Sequence, residues 1–273
     1  MSVDIRYGTH PDEMPRLAPE ELRARFVVAG LFAPGQVRMA MSFHDRLVIG
    51  GAAPAGRTLQ LPAPEELRCE HFCDRREVAV VCLEGTGNVN VDGADHPMNA
   101  EDILYVGKGT QAVDFGGDAT FYFVSAPAHQ QLPTRCGTPA TAETHEIGDP
   151  ALASARTLRK YVHEDGIASC ELAVGITTLA EGSVWNTMPC HTHERRTEIY
   201  LYFGLPEDAR VIHLCGRPNA TRSLILANRE AVISPPWSIH TGAGTAPYRF
   251  VWSTGGENLA YNDMDVVPTR SLR

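Results

Sequence analysis

The chain has 273 residues, 43% of them hydrophobic, which is enough to fill one large core or two modest ones and leaves no sign of bulk disorder. Its formal charge is -9, and its 24 Lys and Arg are scattered without a basic run, which argues against nucleic acid or an anionic membrane as a partner. The opening residues MSVDIRYGTHPDEMPRLAPEELRARF are too charged for a secretory segment, and no later apolar run approaches the roughly 18 residues a spanning helix needs, so the expected compartment is the cytoplasm.

In chain order, the first predicted element is a helix over Pro19–Phe26, opened by proline and carrying Glu20 and Glu21 where the helix dipole favours acid. Short runs of Val, Ile, Phe and Tyr follow: REVAVVCLE, GNVNVDG, DILYVG, QAVDF and TFYFVSA in the first half. CELAVGITTL, EIYLYFGL, ARVIHLCG, SLILAN, EAVISP and YRFVWST continue the series in the second. With Gly, Pro, Asn and Asp between them, such runs predict an all-β chain of antiparallel sandwiches or barrels. The seven cysteines, at 69, 73, 82, 136, 170, 190 and 215, form an odd set without a CxxC pair and are expected to be reduced thiols.

The two halves echo each other. DRREVAVV (74 to 81) aligns with ERRTEIYL (194 to 201) with one residue slipped, ILYVGKGTQ with VISPPWSIH, and TFYFVSA with YRFVWST. A duplicated β-domain is the simplest account, residues 1–150 and 151–273, with the junction in the polar, Pro-rich stretch around 132 to 160. The second copy holds His191, His193, Glu198 and His240 where the first offers approximately His71, Cys73, Glu77 and Gln111. One metal-binding copy and one degenerate copy are therefore expected.

Histidines at i and i+2 on a strand share a face, so His191 and His193 can converge on one ion. Glu198 has the opposite parity and needs a turn after His193, which Glu194-Arg195-Arg196 is polar enough to supply. His240 arrives from a distant strand after Pro235 and Pro236. Three neutral imidazoles and a carboxylate suit zinc, and also iron, nickel or manganese, with positions left for water or substrate.

HxHx4E followed by PxWxxH resembles the two metal motifs of the cupin superfamily, although Trp237 stands where a glycine is common. More specifically, SVWNTMPCHTHERRTEIYLYF, AVISPPWSIHTGAGT, GENLAYNDMD, YVGKGT and REVAVV resemble the 4-deoxy-L-threo-5-hexosulose-uronate ketol-isomerase family. The resemblance runs from about Arg23 to Arg273. It implies a bicupin whose second domain binds Zn2+ through His191, His193, Glu198 and His240. It also implies a homohexamer that converts 5-dehydro-4-deoxy-D-glucuronate to 3-deoxy-D-glycero-2,5-hexodiulosonate in pectin breakdown. The related 5-deoxy-glucuronate isomerase of inositol breakdown, an iron-dependent cupin dioxygenase and a non-catalytic sugar-binding bicupin are the alternatives.

An aldose-ketose isomerisation moves hydrogen between adjacent carbons and places negative charge on oxygen, which a divalent ion stabilises without redox change. Strand alternation puts Tyr200 and Tyr202 on the ligand face and Ile199, Leu201 and Phe203 on the other. Either tyrosine, or Glu194, Asp263 or Asp265, is a candidate acid or base; His163 and His213 read as ordinary histidines. For the substrate carboxylate the candidates are Arg196, Arg195 and Lys160, with the reservation that Arg75 and Arg76 repeat the arginine pair in the copy that lacks the ligands.

Overall fold

A computed structural model describes residues 3–257 and 259–273, so Asn258 of the GENLAYNDMD segment lies outside the described residues. The expected helix spans Pro19–Phe26 and buries Leu22 and Phe26. Glu21 caps it by accepting a hydrogen bond from the Ala18 backbone N–H at 2.9 Å. Almost everything else is strand and turn, and no helix among the described residues is long and apolar enough to cross a membrane. All seven cysteines are free thiols.

Nine strands form the first sheet, around the long pair Arg76–Val91 and Val113–Pro127. This pair runs antiparallel from Arg76 opposite Pro127 to Val91 opposite Val113, with a bulge between Cys82 and Glu84. The second sheet has seven strands, with Arg156–Val162, Ala173–Leu179, Arg249–Gly256, Arg196–Phe203 and Ala231–Ser234 as neighbours in that order. A separate three-stranded sheet, Arg222–Leu226, Val211–Gly216 and Ile239–Gly244, shares an apolar core with it and completes a second barrel.

Alternation along Arg196–Phe203 decides which core each residue enters. Ile199, Leu201 and Phe203 join Ala79, Val81 and Val124 of the first sheet, so the two large sheets lie back to back. Tyr200 and Tyr202 turn the other way, into the second barrel with Phe250 and Trp252.

Two segments before residue 150 belong to the second sheet. Val27 and Val28 pair with Val232 and Ala231, and Met14, Leu17, Leu22 and Phe26 are buried in the second barrel's core. Glu143–Ile147, inside the stretch taken from sequence as a polar junction, pairs with residues 156 to 160 of the next strand.

The one-residue slip in the repeat acquires a structural meaning. Arg76 and Arg196 open corresponding strands, both are buried, and both donate to backbone carbonyls: Arg76 to Arg46 at 2.6 Å and Ser125 at 2.9 Å, Arg196 to Ala260 at 2.7 Å. Glu77 then takes the place of Thr197, not of Glu198, and faces between the sheets. It accepts from the Tyr105 hydroxyl at 2.7 Å and from the backbone N–H groups of Cys170, Glu171 and Leu172 at 2.6, 2.8 and 3.0 Å.

Candidate metal centre

His191 lies on a two-residue strand, His191–Thr192, paired with Asp265–Val266. The strand ends before His193, the chain turns at Glu194 and Arg195, and Glu198 follows two residues into Arg196–Phe203. That turn supplies the change of parity the carboxylate required. His240 comes from Ile239–Gly244 of the three-stranded sheet, after a turn closed by Ser238 N–H donating to the Pro235 carbonyl at 2.9 Å. The four side chains each offer one ligand atom, and these atoms lie within 4.8 Å of one another. Among the described residues no other group of His, Cys, Asp and Glu does this; of the first-half counterparts, Glu77 is committed elsewhere and Gln111 is exposed.

The protonation pattern suits a cation. His193 Nδ1 is 2.9 Å from the Arg196 carbonyl and His240 Nδ1 is 3.3 Å from the Ser238 carbonyl; a carbonyl only accepts, so each Nδ1 carries the proton. In the neutral ring that ligates a metal, each Nε2 is then a lone pair. These lone pairs face acceptors: Glu198 Oε2 is 2.8 Å from His193 Nε2 and 2.9 Å from His240 Nε2, and His191 Nε2 is 3.0 Å from His240 Nε2. Converging acceptors repel unless positive charge sits among them, so the residues fit a bound divalent ion. Burial, reinforced by His240, lowers the His191 pKa to about 3, so its imidazole is neutral and ready to ligate at neutral pH.

A cavity of about 490 Å³ opens onto this group, with His191, Glu198 and Tyr200 in its wall. The Tyr200 hydroxyl is 2.9 Å from Thr187 Oγ1, and its ring meets His240 edge-on at 5.5 Å. Tyr202 does not line the cavity: its hydroxyl is 2.8 Å from His213 Nδ1 and accepts from Asn186 Nδ2 at 3.3 Å, in a buried network beneath. Burial raises both phenols well above their ordinary pKa, with Glu198 adding to the effect at Tyr200 and Tyr248 at Tyr202.

The remaining candidates separate by position. Glu194 and Arg195 are exposed on the turn, and Arg195 Nη1 is 3.5 Å from Asp263 Oδ1. Asp265 is exposed, opposite Thr192 in the short ladder. Arg196 lines the cavity but spends donors on the loop carbonyls of Ala260, Tyr261 and Asp263. Lys160 also lines it, with Nζ 2.6 Å from Glu143 and 4.9 Å from the centre of the Tyr261 ring. His163 is buried 3.4 Å from Glu143, and His213 is fully buried.

Sequence reasoning missed Arg156, Thr187, Trp252, Thr254 and Tyr261, all in the cavity wall. Arg156 had a readable signal: in RTLRKYV, alternation places Arg156, Leu158 and Lys160 on one face. The polarity of that run disguised it as linker.

Residues 27–268 match the model of the KduI/IolB family. A protein of Kineococcus radiotolerans named 4-deoxy-L-threo-5-hexosulose-uronate ketol-isomerase is 47% identical, covering 99% of this chain and all of that protein. A Bacillus subtilis protein of the same name is 43% identical, also over 99% of this chain. Among solved structures, an iolb-like protein of Salmonella typhimurium superposes with a TM-score of 0.67 at 16% identity, covering 92% of this chain and 91% of that one. Oxalate decarboxylase of Bacillus subtilis superposes at 0.58 and 12% identity, covering 82% and 73%, in keeping with the bicupin fold that the family resemblance implies. Match and identity extend over nearly the whole chain, and the chain therefore belongs to the KduI/IolB family.

Proposed function

We propose that the chain is a metal-dependent ketol-isomerase that converts 5-dehydro-4-deoxy-D-glucuronate to 3-deoxy-D-glycero-2,5-hexodiulosonate. The observation that carries this reading is the convergence of His191, His193, Glu198 and His240 at one end of a cavity sized for a six-carbon acid. Relatives at 43 to 47% identity that bear the ketol-isomerase name support it.

His191, His193, Glu198 and His240 would hold the ion, proposed as Zn2+, with iron, manganese or nickel as the other metals such a donor set accepts. When bound, the ion polarises the substrate's carbonyl and hydroxyl oxygens and stabilises the negative charge that develops on them. Tyr200, protonated at neutral pH and steered by Thr187, donates a hydrogen bond to one of those oxygens. Arg196 keeps the 260–263 loop in place as one side of the cavity. Leu158, Phe250 and Trp252 line the rest and limit water around the reacting carbons.

In this reading residues 1–150 are a degenerate scaffold domain that also lends Val27–Val28 and Glu143–Ile147 to the second sheet, residues 151–273 the metal-binding domain, the assembly a homohexamer and the compartment the cytoplasm. Light scattering of the purified protein checks the subunit count. The activity is checked by elemental analysis of wild type and His191→Ala beside a product assay on 5-dehydro-4-deoxy-D-glucuronate and 5-deoxy-glucuronate. One divalent ion per chain, lost in the variant together with turnover of the first substrate, is the expected result. Wild type without stoichiometric metal, or a variant at full rate, would sink the proposal.

A further inference from the structure

The cavity wall carries three permanent cations, and two are committed. Arg196 is held by loop carbonyls, and Lys160 is paired with Glu143 at 2.6 Å. Arg156 is not: among the described residues its guanidinium makes one hydrogen bond, to the neutral Ser154 carbonyl at 2.7 Å, and has no carboxylate partner. The turn beside it leaves it room. Gly148 sits at a φ of +83°, and a Cβ there would come within 2.9 Å of Arg156 Nη1. Burial lowers the Arg156 pKa, yet a guanidinium stays charged at neutral pH, so this wall carries uncompensated positive charge inside an acidic protein.

A second observation points to a ligand in the same cavity. Trp252 and Thr254 line it, are 3% and 4% exposed, and have their Nε1 and Oγ1 buried without a hydrogen-bond partner. Buried polar atoms of this kind ordinarily have a partner, from the protein, from water or from a bound molecule. Position agrees with this. The strand of Arg156 is separated from that of Glu198 by the two strands Ala173–Leu179 and Arg249–Gly256, a strand spacing of about 14 Å, and Arg156 lies opposite Leu179 whereas Glu198 is in the row of Thr254 and Ala173, so the two stand at opposite corners of the same cavity wall.

We propose that Arg156 is the substrate-positioning residue that receives the carboxylate of the sugar acid, with Lys160 beside it, so that the opposite, carbonyl end of the chain is presented to the metal group. This rests on the uronate reading of the cavity and adds to it a direction of binding. The carboxylate of a 5-dehydro-4-deoxyuronate is the terminus farthest from the two carbons that exchange hydrogen. An anion held at Arg156 therefore turns those carbons toward Glu198 and the histidines.

The test compares wild type, Arg156→Gln and Arg156→Lys on the uronate and on its neutral primary amide. Losing a charge-assisted contact that substrate and transition state share should raise KM for the acid about 10- to 100-fold in Arg156→Gln and leave kcat within a few-fold. The amide should be turned over equally by both, and Arg156→Lys should recover part of the loss. Equal losses on acid and amide, or a fall in kcat at constant KM, would overturn the proposal. Calorimetric binding of D-glucuronate and D-glucose to the metal-loaded proteins separates this inference from the reaction itself. If wild type isomerises neither substrate but binds glucuronate through Arg156, the isomerase reading fails and the carboxylate site stands. If wild type isomerises the uronate and Arg156→Gln matches it in KM and in glucuronate binding, the carboxylate site fails and the isomerase reading stands.

Discussion

His213 is fully buried under the metal group, with Nδ1 on Tyr202 and Nε2 without a partner. Burial, reinforced by His240, lowers its pKa from 6.5 to about 3. The unfolded chain therefore binds a proton there that the folded chain refuses, and stability falls as the pH drops from 6.5 towards 3. Urea unfolding of chelator-treated protein between pH 7 and pH 5 should show His213→Gln with a slope shallower by about 1.4 kcal/mol per pH unit below 6.5. An unchanged slope would mean that His213 does not stay neutral. Gly175 lies directly across the sheet from Trp252, and a Cβ there would meet the indole Cζ2 at 2.1 Å. Because the same Cβ would also meet the Arg159 backbone carbonyl at 2.2 Å, Gly175→Ala should displace both the indole and the neighbouring strand, cost about 1–3 kcal/mol or more in thermal unfolding and raise KM more than it lowers kcat.

Along single elements, the strand Arg196–Phe203 was the most legible part of the sequence, because a period of two assigns each residue to one of two cores and both cores exist. The arginine echo was also legible: Arg76 and Arg196 do the same work on loop carbonyls, which is why a pair of arginines recurs in the copy without the ligands. Glu77 was misplaced by one residue, and a one-residue shift in a strand moves a side chain to the opposite face. The cavity floor could be read because its ligands are rare residue types at fixed spacing. Its walls could not, since Arg156, Trp252 and Thr254 come from strands whose adjacency is set by sheet order and not by sequence distance. Arg196→Met should loosen the 260–263 loop, at a cost of about 2–4 kcal/mol, with faster amide hydrogen exchange in that loop as the check. Unaltered exchange there would remove Arg196 from this role.

Across the molecule, the two large sheets are held by an apolar layer and by two acids of the first half that reach across to the second. Glu77 of the first sheet grips the backbone of Cys170, Glu171 and Leu172. Asp45, also from the first half, accepts from the backbone N–H and the hydroxyl of Thr197, both at 2.6 Å. Glu77→Gln turns an acceptor of three backbone donors into a mixed amide and should cost about 2–5 kcal/mol. Because the layer belongs to both halves, calorimetry should record one cooperative transition for wild type, at lower temperature in the variant. Two separate transitions in wild type would contradict a shared core.

The early helix and Val27–Val28 carry a consequence for biosynthesis. They are made long before Ala231–Ser234, the strand that Val27 and Val28 pair with, and until that strand emerges from the ribosome Phe26 and Leu22 have no barrel to enter. The first sheet can form while the second barrel is still being translated, but the leading segment then has no core to enter and is an apolar tail that a chaperone or a protease can reach.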